Sequence, residues 1–210
     1  DIAITPNRPD ALGVRGIARD LAARGIGVLK PADTPLISEK HKNTIEIKIN
    51  DDVLENGCPV FFSCMIRGVK NGPSPKWLRD QIESIGLRSI SSLVDITNFF
   101  TMDRARPLHV FDSDKIEGGL RVSFAKGNES IDALDEKNYS LPKDAMIISD
   151  ASGIISIAGI MGGVSTGCSE NTVNVLLESA YWDPITIAKA GRSLKINSDA
   201  RYRFERGVDP

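Results

Sequence analysis

The chain has 210 residues, 41% hydrophobic and 26% charged, a balance that supports one substantial core in water with room for a smaller appendage. A net charge of -2 and a pI near 5.8 exclude a surface that is basic throughout, so any contact with nucleic acid has to be local. No apolar run approaches the roughly 20 residues that span a bilayer, and the first residues offer neither the basic nor the apolar segment of a secretory leader.

The sequence opens on a turn-like Thr5-Pro6-Asn7-Arg8-Pro9-Asp10 without methionine and closes directly after a dense charged motif, so a fragment of a longer polypeptide is expected. Asp10 is expected to cap a helix with Val14, Ile17, Ala18 and Leu21 on one face and Gly25 at its end. The stretch Lys30-Pro31-Ala32-Asp33-Thr34-Pro35 has prolines and no apolar period, which suits a linker between a small N-terminal piece and the main domain. Alternation over Thr44–Ile49 puts Ile45, Ile47 and Ile49 on one sheet face, and Val60–Ile66 reads as a more buried strand. Ser74 then caps a helix with Pro75 at its first position, Leu78, Ile82 and Ile85 inside and Gly86 at its end. Further strands are expected over Leu120–Ala125, Ala145–Ser149, Ile154–Ala158 and Val173–Leu177. The pattern predicts an α+β domain rich in strand, with flanking helices and a short N-terminal helical piece.

Cys58, Cys64 and Cys168 are odd in number and lack the spacing of a zinc site, so reduced thiols in a cytoplasmic protein are expected. His109 sits in Arg106-Pro107-Leu108-His109-Val110-Phe111-Asp112, where it serves either as a hydrogen-bonded structural residue or as a positioned functional group. The glycines of Ala158-Gly159-Ile160-Met161-Gly162-Gly163 permit either a ligand-cradling turn or a turn packed on its own core. That segment is neither a P-loop nor a dinucleotide fingerprint. Glu178 follows the apolar Val175-Leu176-Leu177, and a carboxylate held at a core rim needs a partner, for which nearby arginines are one candidate. The closing segment Ser198 to Gly207 interleaves charges with aromatics, a pattern open to an ion-pair network or to RNA phosphates. No serine-hydrolase elbow or HExxH motif is present.

Taken together, Ile4 to Asp10, Val94-Asp95-Ile96-Thr97-Asn98, Pro107 to Asp112, Ala158 to Gly163, Leu177 to Tyr181 and Arg203 to Pro210 resemble, in order and spacing, the β subunit of bacterial phenylalanyl-tRNA synthetases. The resemblance implies that residues 1–35 are the C-terminal part of the B1 domain and a linker, and that 36–210 form a B3/B4 tRNA-editing domain. It also implies that Arg88, Thr97, Asn98, His109, Ala158, Gly159, Gly162, Glu178, Ser198 and Ala200 are site residues. Departures from the family pattern fall at Ser91, Ser92, Asp103 to Arg106 and Arg201, beside the expected pocket, while Ser198 keeps the hydroxyl of the more usual threonine.

In such a family the module removes tyrosine from the tRNA for phenylalanine. An apolar pocket rejects an added hydroxyl only about 10²-fold, whereas one that hydrogen-bonds it discriminates by roughly 10⁴-fold or more. Glu178 is the residue expected to read the tyrosine hydroxyl, with Arg88, Ala158, Gly159, Gly162, Ser198 and Ala200 completing the substrate pocket. His109, Thr97 and Asn98 are assigned to the 3′ adenosine, the ester or the water. The expected partners are the tRNA 3′ end and the synthetase α subunit of an α2β2 assembly. No cofactor is expected in this segment, with ATP and Mg2+ belonging to the parent enzyme's synthetic site. The competing reading is a non-catalytic module that positions tRNA or stabilises subunit assembly.

Overall fold

The computed structural model describes residues 2–209 apart from 33, 39 and 40. In chain order the first elements are α1 (Val14–Ala23), β1 (Ile47–Ile49), α2 (Asp51–Asn56), β2 (Val60–Arg67), α3 (Lys76–Ser84) and α4 (Ser92–Arg104). Strands β3 (His109–Asp112), β4 (Leu120–Phe124), β5 (Ser130–Asp132), β6 (Asn138–Ser140), β7 (Met146–Ser149) and β8 (Ile154–Ile157) come next. The chain continues through β9 (Met161–Gly162), β10 (Asn174–Tyr181), α5 (Pro184–Leu194) and α6 (Asp199–Phe204). The architecture is α+β, as the patterning predicts.

Apolar segments, rich in isoleucine in β1, β7 and β8 and bounded by Gly, Asp and Ser turns, build a five-stranded sheet in the order β1-β4-β7-β8-β9. Only the β1–β4 pair is parallel, with Ile47 opposite Leu120. Val122, Ile148, Ile155 and Ile157 are fully buried in this sheet, and α5 covers it with Ile187 and Ala190. A second, antiparallel sheet has β10 at its centre between β2 and β3. Phe111 and Leu176 are directly opposed there and fully buried, so one face of this small sheet joins the common core.

Several local expectations are corrected. Gly13, not Asp10, is the N-cap of α1; the Asp10 carboxylate is held by Arg8 at 2.8 Å and by Arg19. The apolar stripe of α1 is not a core face, since Val14 and Leu21 are exposed, and the helix instead lies beside α4. Arg203 ties this N-terminal piece to α6 by donating to the Leu12 carbonyl at 3.3 Å. The expected linker has no helix or strand in its described residues, and Asp33 lies outside them.

Strand β2 is an edge, not a buried strand: Val60, Phe62 and Ile66 are exposed while Phe61 and Met65 pack on the core. Ser74 caps no helix, because its hydroxyl donates to Asp95 at 2.5 Å and Pro75 takes the N-cap position of α3. Ile85 is the exposed C-cap rather than an inner residue, followed by Gly86 at φ 84°. Strand β10 runs on through Glu178 to Tyr181 instead of stopping at Leu177. Among the described residues no helix is long and apolar enough to cross a membrane.

Candidate functional site

Where β3 and β10 meet the turn after β8, a cavity of about 290 Å³ opens between α4 and α6. Each wall follows from a local feature of the chain. Thr97, Asn98 and Thr101 project from α4, His109 and Glu178 from the small sheet, Gly159 from the turn and Gly162 from β9, Ser198 from the N-cap of α6, and Ala200 and Phe204 from α6 itself. Residues far apart in sequence thus converge, and the remaining lining is largely apolar, with Leu134, Ile157 and Met161.

Glu178 and His109 are directly opposed in the antiparallel β10–β3 register, with Ser63 of β2 on the other side of Glu178. Such cross-strand neighbours have β-carbons about 5 Å apart on the same face. Glu178 is only 5% exposed, and among the described residues its carboxyl has no hydrogen-bond partner. Burial raises it from the usual carboxyl range to about 8, so at neutral pH it is mostly the uncharged acid. Burial drives His109 the other way, down to about 4, which keeps the imidazole neutral. Neither group owes its shift to the other, so the two are adjacent without forming an ion pair. The arginine partner that the sequence offered for Glu178 is absent among the described residues: Arg201 and Arg203 bind Glu205 and Asp199 instead.

Both glycines of the turn are packed against neighbouring side chains, each on a different side. Gly159 has φ 68°, and a β-carbon there would lie 2.7 Å from Trp182 Cδ1 and 2.8 Å from Ile187 Cδ1, so this glycine packs on the core. Gly162 lies against the other side of the turn's surroundings, where a β-carbon would overlap His109 Cε1. Ser198 fastens α6 to this turn: its hydroxyl donates to the Ile160 carbonyl at 2.7 Å and accepts from Arg201 N–H at 3.1 Å.

Of the residues singled out from the sequence, Thr97, Asn98, His109, Gly159, Gly162, Glu178, Ser198 and Ala200 share this cavity. Ala158 does not line it; it is buried behind the turn, with its N–H bonded to the Met146 carbonyl at 3.0 Å. Arg88 is exposed on the loop between α3 and α4 and also lies outside the lining. That loop is anchored by Asp95, fully buried, which accepts from Ser74, Ser89 and the Ile90 N–H. Sequence reasoning missed Thr101, Leu134, Ser156 and Phe204 in the lining. Thr101 stands one turn after Thr97 on α4, a spacing that carries a signal only once that helix is known; Leu134 lies in a loop and carries none.

Arg201 does not enter the cavity. It covers Gly191 and donates to the Ile196 carbonyl at 2.6 Å and to Asn197 at 2.9 Å. Arg106 is likewise turned away, onto the Asp209 carbonyl. All three cysteines are unpaired, and burial raises the Cys58 and Cys168 thiols to about 12 and about 11, so neither is poised as a nucleophile. A larger groove of about 430 Å³ runs along α1, but its walls are mostly aliphatic, including Val14, Leu21, Ile26 and Val28, and it holds no comparable pair of shifted groups.

The family model described as B3/4 domain matches residues 57–210. The chain is 63% identical over 210 residues to the phenylalanine–tRNA ligase β subunit of Ruegeria pomeroyi, covering 100% of this chain and 26% of that relative. Identities are 59% to the same subunit of Cereibacter sphaeroides and 56% to that of Mesorhizobium japonicum, with the same coverage. The chain therefore spans about a quarter of the length of the curated relatives it matches. A crystal structure of an N-terminal fragment of the phenylalanyl-tRNA synthetase β subunit from Pyrococcus horikoshii shares the fold. Its TM-score is 0.54 at 16% identity, over 90% of this chain and 60% of that one. The chain belongs to the B3/4 domain family, and its whole length is similar to bacterial phenylalanine–tRNA ligase β subunits.

Proposed function

We propose that this cavity hydrolyses the ester linking tyrosine to the tRNA for phenylalanine, as the editing site of a cytoplasmic phenylalanine–tRNA ligase. The observation that carries the reading is Glu178, a buried carboxyl without a hydrogen-bond partner among the described residues, set in a largely apolar cavity beside His109. A tyrosine hydroxyl would satisfy that carboxyl, and phenylalanine would leave it unpaired, which is how a buried polar group discriminates. An uncharged acid suits the task, because it both donates to and accepts from a phenol.

Water attacks the ester carbonyl, and the 3′-terminal ribose hydroxyl leaves. His109, Thr97 and Asn98 position the ester, the terminal adenosine or the water. An imidazole lowered to about 4 is a weak base at neutral pH, so His109 is assigned to positioning rather than proton abstraction. Gly159, Gly162, Ser198 and Ala200 let the amino acid approach the turn closely. Arg88 and Ala158 lie outside the lining and make no direct contact in this scheme. ATP, Mg2+ and the phenylalanine-activating site belong to the parent ligase with its α subunit.

The test is hydrolysis of tyrosyl-tRNA for phenylalanine by this chain and by the full-length ligase, with Glu178→Ala beside wild type. The variant should lose roughly tenfold to a hundredfold in kcat/KM for the tyrosyl ester and lose its preference over the phenylalanyl ester. Unchanged discrimination in a folded variant would remove Glu178 from this role and turn attention to Ser198 or the backbone around Gly162. Absence of hydrolysis by the full-length wild type would favour a module that only positions tRNA or supports assembly.

A further inference from the structure

A cavity of about 290 Å³ holds an aromatic amino acid and its ester but leaves the nucleotides behind it outside. Directly beside it, sharing Ser198 and Asp199 as a common wall, is a second cavity of about 230 Å³ lined also by Asn197, Arg201, Tyr202 and Glu205. Tyr202 is 45% exposed although it belongs to α6, and the Arg206 guanidinium lies 3.6 Å from the centre of its ring. One face of the ring is thus backed by a cation, and the side chain also borders the cavity.

The charge around it suits a polyanion. Both carboxylates of this cavity are compensated: Glu205 by Arg201 at 3.0 Å and Arg206 at 3.1 Å, Asp199 by Arg203 at 2.9 Å. Arg192 and Lys195, at the end of α5 and the turn that leads into the cavity, are exposed and form no ion pair among the described residues. Residues 192–206 carry five basic side chains against two acidic ones, in a chain whose net charge is -2. An aromatic face backed by arginine, in a segment that carries further exposed and unpaired cations, is the chemistry that holds single-stranded RNA through stacking and phosphate contacts.

We propose that Tyr202, backed by Arg206, is a stacking platform for a base of the single-stranded 3′ end of tRNA, just upstream of the terminal nucleotide. The platform deepens the editing reading and rests on it for the identity of the RNA. It places the strand on the α6 side of the amino-acid cavity, with Arg192 and Lys195 toward its phosphates.

The experiment measures binding of a fluorescent oligoribonucleotide ending in CCA by anisotropy, with the chain as it stands. Tyr202→Ala should weaken binding about tenfold, and Tyr202→Phe should restore it, because the stacking face needs no hydroxyl. Arg192→Ala with Lys195→Ala should weaken binding and flatten its dependence on salt. No binding by wild type, wild-type affinity in Tyr202→Ala, or an equal loss in Tyr202→Phe would each overturn the platform. Hydrolysis of tyrosyl-tRNA by wild type is assayed separately. A platform that fails while hydrolysis persists is thereby distinguished from an editing reading that fails while RNA still binds.

Discussion

The His109 imidazole occupies the space that a β-carbon at residue 162 would fill, so the ring and the glycine turn fix each other's position. A methyl group at Gly162 must displace His109 Cε1 and also crowds the Leu134 side chain, whose Cδ1 lies 3.0 Å from the same point. Gly162→Ala should therefore cost about 1 to 3 kcal/mol in stability through overpacking. It should also slow tyrosyl-tRNA hydrolysis by up to about a hundredfold, since a displacement near 1 Å at a positioning group has that scale of effect. Thermal melting and deacylation kinetics read the two separately. Full activity in the alanine variant would show that the ring's place against the turn does not matter for the reaction.

Opposite shifts at Glu178 and His109 define a pH profile for stability. Glu178 titrates at 4.5 unperturbed and at about 8 when folded, so within that window the folded chain keeps a proton the unfolded chain has lost, and stability falls as pH rises. His109 titrates at 6.5 unperturbed and at about 4 when folded. There the unfolded chain binds the extra proton, and stability rises with pH until about 6.5. The slopes offset each other between 4.5 and 6.5, and above 6.5 Glu178 acts alone. From pH 6.5 to 8 wild type should lose about 2 kcal/mol that Glu178→Gln does not lose, as read by urea denaturation at both values. Parallel losses in the two proteins would show that the carboxyl is not held neutral.

Much of this framework is legible in the sequence, for identifiable reasons. Strands β4, β7 and β8 announce themselves because the apolar alternation of β4 and the isoleucine runs of β7 and β8 are bounded by turn residues and are buried where they stand. Helix α4 is not among the expected elements: Val94, Ile96, Phe99 and Phe100 are apolar or β-forming on several sides, so no single stripe marks it. Helix α5 was open to recognition through Asp183, which caps it by accepting from the Thr186 N–H at 2.7 Å, and Pro184 at its first position. The apolar run of β2 suggests burial, but lying at a sheet edge is a tertiary fact that composition does not encode. The cross-strand pairing of Glu178 with His109 depends on the register of strands distant in sequence. The resemblance named both residues, and no local pattern could have joined them.

Asp95 illustrates a residue that such a reading passes over. It is fully buried and accepts from the hydroxyls of Ser74 and Ser89, both at 2.5 Å, and from the Ile90 N–H at 2.9 Å, joining the start of α3, the loop bearing Arg88 and the first turn of α4. Replacing it by alanine strands the buried Ser74 hydroxyl at about 1 to 3 kcal/mol and loses two part-buried hydrogen bonds at a smaller cost each. Asp95→Ala should destabilise the chain by about 3 kcal/mol or more and shift α4, which carries Thr97 and Asn98. Chemical denaturation measures the first effect. Amide exchange should rise at residues 89–98 ahead of the central sheet, and uniform protection in the variant would contradict this anchoring role.

The last expectation concerns what His109 does. A histidine working as general base near its ordinary pKa would give the rate an acid limb near pH 6.5, where the imidazole protonates and activity falls. Burial lowers His109 to about 4, so the ring stays neutral from pH 5 to 8 and contributes no limb in that range. The kcat/KM profile for tyrosyl-tRNA should accordingly lack a His109-dependent ionisation between pH 5.5 and 7, where an unperturbed imidazole would titrate. His109→Ala should lower kcat by about tenfold to a hundredfold at every pH in that range, as expected when a positioning contact is removed. It should leave the preference for the tyrosyl over the phenylalanyl ester intact, because the hydroxyl is read by Glu178 on the neighbouring strand. An acid limb near 6.5 in wild type that vanishes in His109→Ala would establish base catalysis and overturn the positioning role. Loss of the tyrosyl preference in the same variant would instead mean that the imidazole helps to read the hydroxyl.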